Sequence, residues 1–146
     1  MPTIAHDLMQ EVVTRLVRTP SVIADASNVR RDHRTHVMRE QAPAIHVVDG
    51  DDAPTGKFQR GCVERSKSFT VALFVRDDQG FTAADPIVLT ILARLNGLAL
   101  AYSRKARIAL GKIRFDNEIA DGDALRVEIE LTFVYNAPEW SLDREA

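Results

Sequence analysis

The sequence predicts an α+β sandwich of ferredoxin-like type, with two helices packed on one face of a four-stranded mixed sheet in the order helix, strand, strand, helix, strand, strand. Three observations predict it. Leu125, Val127, Ile129, Leu131, Phe133 and Tyr135 alternate with Arg126, Glu128, Glu130 and Thr132. Successive strand side chains point to opposite faces, so this is a long strand with one dry and one charged face. Two other segments carry apolar residues at helical spacing, and together they cover such a face. Turn-rich stretches separate three further runs of strand character.

Taken in order, Ile4, Leu8, Val12 and Leu16 form a stripe supported by Met9 and Val13, which predicts a helix over residues 3–18. Thr3 is its candidate N-cap, Glu11 and Arg15 form an i,i+4 pair, and Thr19-Pro20 ends it. Residues 19–42 show little periodicity and are expected to form a mobile basic loop. Pro43 opens a short strand, Ala44 to Val48, and a proline there suggests a sheet edge. Asp49 to Gly56 is acidic and rich in turn formers. A second strand follows, with Phe69, Val71, Leu73 and Val75 on one face that continues backward to Lys67 and Arg65. That change from charged to apolar predicts an arm, about residues 49–67, which enters the core near Phe69.

Asp85-Pro86 marks a helix start, with Asp85 as N-cap, and Asn96-Gly97 marks its stop. In the strand from Arg107 to Asn117, Ile108 and Leu110 keep one phase while Ile113 and Phe115 keep the other. A bulge at Gly111-Lys112 reconciles them. The long strand after Asp121-Gly122-Asp123 closes the fold, and a short tail covers residues 137–146.

At 146 residues the chain is expected to be one domain with a single core. Its 45% hydrophobic and 27% charged residues are those of a globular protein. A net charge of −2 gives no global reason for nucleic-acid binding. One cysteine, Cys62, makes no intramolecular disulfide, and no apolar run has the length of a membrane span. No phosphate loop, dinucleotide fingerprint or nucleophile elbow is present, and no cofactor is expected.

Three weak chemical constellations stand against plain structural explanations. His33 and His36 beside Asp32 have helical spacing for a metal, but Arg30, Arg31, Arg34 and Arg39 oppose a cation there. Asp49, Asp51 and Asp52 with Glu64 or Lys67 suit a nuclease metal site, yet Asp and Gly are what turns require. Cys62 with His46 is a conceivable nucleophile and base, although a lone cysteine is more often inert. The expectation is a protein without catalysis. The unequal distribution of charge is more informative: the arginine run faces either phosphates or the acidic patch at Asp49, Asp51 and Asp52 on a neighbouring copy, and the separated signs favour self-association.

The amphipathic opening helix, the arginine-bearing loop leading into EQAPAIHVVDGDD, the phrase CVERSKSFTVALFVRDDQG and the closing DGDALRVEIELTFVYNAPEW together resemble the tail terminator proteins of long-tailed phages and prophages, the family that includes the lambda U protein. The resemblance spans nearly the whole chain as a diffuse pattern. It implies a hexameric ring that caps the finished tail tube and meets the head connector, in a virion tail assembled in the bacterial cytoplasm. Its implied partners are further copies of itself, the tail tube protein and the head-tail connector protein, with no membrane. It carries over no catalytic residue.

The expected interface residues therefore come from the residues themselves. They are Arg30, Arg31, Arg34 and Arg39 on one side, Asp49, Asp51 and Asp52 on the other, and Lys57, Phe58 and Arg60 on the arm. Phe58 is a candidate anchor, its alternative being to tuck back onto its own sheet. The basic run is denser than subunit contacts alone require, and the alternative is that it lines a lumen through which DNA passes. Competing functions are another head-tail neck component, or a ligand-binding or regulatory module on a ferredoxin-like fold.

Overall fold

The computed structural model describes residues 3–18, 20–23, 25–31, 37, 41–59, 61–76, 80–98, 106–116 and 124–138. Helix α1 (Ile4–Val17) begins where expected: the Thr3 side chain accepts a hydrogen bond from the His6 N–H at 3.1 Å. Its buried stripe is Ile4, Leu8, Met9, Val12 and Leu16, and Arg15 Nε meets Glu11 at 3.1 Å. Arg94, from the second helix, donates to the carbonyls of Arg15 at 3.0 Å, Arg18 at 2.8 Å and also Pro20. Carbonyls that a helix end leaves without partners are thereby satisfied.

Helix α2 (Ala84–Leu95) starts one residue before the expected cap. Ala83 is its N-cap, without a side-chain bond, and a 3-10 turn (Phe81–Ala83) leads into it. Asp85 and Pro86 thus lie inside the first turn, where a proline's missing N–H costs nothing. The stop is as read, with Gly97 at φ +78 after Asn96.

The sheet overturns the four-stranded ferredoxin-like expectation. It has five strands, β1 (Val29–Arg31), β2 (Ala44–Gln59), β3 (Cys62–Val75), β4 (Arg107–Asp116) and β5 (Leu125–Pro138), in the order β1-β2-β3-β5-β4. The added strand comes from residues 19–42, read as a loop because three residues are too few to show a period. It pairs parallel with Ile45–Val47, which removes the edge position that Pro43 suggested for the start of β2.

The acidic stretch from Asp49 to Gly56 is also strand rather than turn. Register shifts between Asp49 and Asp52 and between Pro54 and Phe58 absorb its extra residues, as bulges do. The predicted bulge in β4 is present: Leu110 pairs with Leu131 and Ile113 with Ile129. A Cβ on Gly111 would come within 3.1 Å of the Glu130 carbonyl oxygen, so a small residue suits the site.

All pairings other than β1 with β2 are antiparallel. β3 and β4 therefore run parallel, with α2 linking them and β5 lying between. The dry face of β5 is buried from Leu125 to Tyr135 and packs with both helices in one core. Each large side chain in it contributes about 1.5–3 kcal/mol on burial. On the opposite face, Val37, Ala44, Ala72, Phe74 and Ala124 form a smaller cluster.

Candidate assembly surface

The outer halves of β2 and β3 form an arm, and β5 backs it. Gln59 pairs with Cys62, so only residues 60 and 61 join the strands, and Gly61 has φ +79. That left-handed conformation favours glycine. Farther in, a polar network fixes the arm to the sheet. Asp52 accepts from Arg65 Nε at 2.9 Å and from the Tyr135 hydroxyl at 2.6 Å, while Arg65 NH2 reaches the Asp52 carbonyl at 3.0 Å. Lys67 Nζ donates to the Gly50 carbonyl at 2.6 Å and lies 3.5 Å from Asp49.

These contacts explain how a strand face can pass from charged to apolar. Lys67 is buried on the same face as Phe69, and its charge is matched by Asp49. Burial first, then the hydrogen bond and charge of Asp52, push the Tyr135 phenol well above its ordinary range, with Arg65 opposing. Burial pulls the Arg65 guanidinium down, but its bonds to Asp52 outweigh that and its pKa is raised.

The predicted interface residues separate into four groups. Arg31 and Asp49, expected to face each other between copies, meet within one chain at 3.0 Å, and Arg31 also contacts His6 Nδ1 at 2.9 Å. Asp52 belongs to the arm network. Arg30, Asp51, Lys57 and Phe58 are exposed, Phe58 at 68%. Phe58 is thus not tucked onto its own sheet, and it stands opposite Val63 on the helix side. Arg34, Arg39 and Arg60, like Asp32, His33 and His36, lie outside the described residues, as does the tail from residue 139.

Among the described residues, no three His, Cys, Asp or Glu side chains converge as metal ligands. Asp49 and Asp52 are neutralised by Arg31, Lys67 and Arg65.

A second surface was not read from the sequence. Along β4, Leu110 is 51% and Phe115 48% exposed, and on α2 Leu89 is exposed as well. Between α2 and β4 lies a groove of about 390 Å³ lined by Leu92, Leu95, Ile108, Leu110 and Leu131. The two phases of β4 signalled the bulge. They carried no sign that α2 leaves this strand partly uncovered. The arm and the groove stand at opposite edges of one sheet.

No protein-family model matches the chain, and no curated protein does. Its fold is similar to solved structures, among them a chain of the "Virion of native gene transfer agent (GTA) particle". That comparison has a TM-score of 0.56 and 14% sequence identity, and it covers 92% of this chain and 96% of that chain. The likeness is one of fold, along nearly the full length of both.

Proposed function

We propose that the chain is a structural component of a phage-like virion: a tail terminator whose copies form a ring that ends the tail tube and joins it to the head. The observation that carries this is the fold likeness to a gene transfer agent virion chain over 96% of that chain. The resemblance of the sequence phrases to tail terminators supplies the finer position and the hexameric expectation. The partners on this reading are further copies of the chain, the tube protein and the connector, with DNA passing through the lumen. A sheet with unlike exposed surfaces at its two edges suits the head-to-tail contacts of a ring. Another neck position is the second reading, since the fold likeness names a virion and not a level along it.

Deletion of the coding sequence in the producing strain tests this by negative-stain imaging. Uncontrolled tube lengths and tails without heads are the expected result. Normal joined particles would overturn the reading, and regulated tubes lacking heads would move it to a neck position.

A further inference from the structure

We propose that the copies join through the sheet itself, β4 of one copy lying antiparallel in the notch beside the outer half of β2 in the next, with Phe58 of that next copy seated in the groove between α2 and β4. The inference rests on the ring reading and names the surface that builds the ring.

The notch comes from the strand pairing. β1 covers β2 only from Ile45 to Val47. Among the described residues, no strand pairs with the outer side of β2 from Val48 to Gln59, and none with the outer side of β4. An open strand edge presents backbone donors and acceptors to another strand. Three antiparallel pairings separate β2 from β4, so the two run antiparallel, and a copy added at the edge continues the sheet in that sense.

Register then fixes the fit. Phe58 stands opposite Val63 and Val63 opposite Ala137, a core residue, whereas Leu110 stands opposite the buried Leu131. Phe58 and the groove therefore share the helix side. Set Phe58 opposite the neighbouring Ile108 and count through the bulges of both strands. Pro54 then meets Leu110, Asp52 meets Ile113, and Arg114 falls beside Asp51. Asp116 comes opposite Val48, the first residue that β1 leaves uncovered. The stagger that clears β1 is thus the one that brings Phe58 to the groove.

Charge agrees with the fit. β4 carries Arg107, Lys112 and Arg114 against Asp116, and the outer half of β2 carries Asp49, Asp51 and Asp52 against Lys57. Asp49 and Asp52 are held within their own copy, while Asp51 is exposed, and Arg114 is exposed too, with a loose 3.8 Å contact to Asp116 beside it. Because the joined surfaces differ, the contact is head-to-tail and must close or propagate.

The test uses the full chain with Phe58→Asp and Leu110→Asp, each followed by native mass spectrometry and thermal melting. Wild type is expected to form the ring. Each variant should weaken the joint at least about 30-fold, the effect of losing a buried anchor, with an unchanged melt. If an aspartate impairs folding, Phe58→Ala and Leu110→Ala replace the pair. An equimolar mixture keeps one sound groove and one sound Phe58, so it should give heterodimers and no rings. Oxidation of Phe58→Cys/Ile108→Cys in a Cys62→Ser background should give a covalent ladder. Rings that persist in both variants would overturn this joint and leave the ring reading standing. Wild type with no oligomer at about 1 mM, together with no ladder, would overturn both.

Discussion

Replacing Tyr135 by Phe removes one hydroxyl from the network that ties the arm to the sheet. The ring remains fully buried and keeps its packing against Phe133, whose centroid lies 5.4 Å away. The loss is the 2.6 Å bond to the Asp52 carboxylate. A hydrogen bond to a charged group is worth about 1.5–3 kcal/mol, and Asp52 keeps Arg65, so the low end, about 1.5 kcal/mol, is expected. In a chain of this size that lowers Tm by about 3–6 °C. The pH dependence gives a second readout. The phenol's pKa is raised in the folded state from an ordinary 10.0, so its contribution is complete below pH 10 and declines above it. As the unfolded chain ionises first, wild type loses about 1.4 kcal/mol per pH unit that Tyr135→Phe does not lose. Melting curves of the two should differ at pH 7 and converge near pH 11. Equal Tm at pH 7, or a gap that survives at pH 11, would refute this account of the network.

Three other substitutions test separate features. Leu8→Ala, at a fully buried position of α1, should cost about 2–5 kcal/mol in urea unfolding. Gly50→Ala would place a Cβ 2.8 Å from the Ser68 carbonyl oxygen at the root of the arm, and should cost about 1–3 kcal/mol by the same measurement. Arg114→Glu should weaken assembly and also lower Tm slightly, because it loses the 3.8 Å pair with Asp116 and stands opposite Glu128. Adding Asp51→Lys in the same chain should restore assembly by about 0.5–1 kcal/mol, read from the dissociation midpoint in native mass spectra, without restoring Tm.

Much of the fold was legible because burial imposes a period. The alternation through β5, the α1 stripe and the phase change at Gly111 each match the structure, since each has one dry side. β1 was hidden because three residues, Val29 to Arg31, offer no period. The strand from Asp49 to Gly56 was hidden because its composition is that of a turn. It stays extended through bulges and through Lys67 and Arg65, which neutralise Asp49 and Asp52 from the neighbouring strand. The candidate surface divided similarly. Phe58 was legible as the one large apolar residue of a polar arm, and the structure leaves it exposed rather than tucked onto its own sheet. The partner of Arg31 was not, because Asp49 lies 18 residues away in sequence and β1 brings the two together. The groove beside β4 depends on where α2 ends across the sheet, which no local pattern records.

On the proposed reading, copies of this chain close head to tail. Native mass spectrometry with negative-stain imaging, at rising concentration and at low and moderate salt, is the first test of that closure. One closed ring with an open centre is expected, weakened by salt where Asp51 meets Arg114 at the surface. A monomer at every concentration, or a twofold dimer that grows no further, would contradict it.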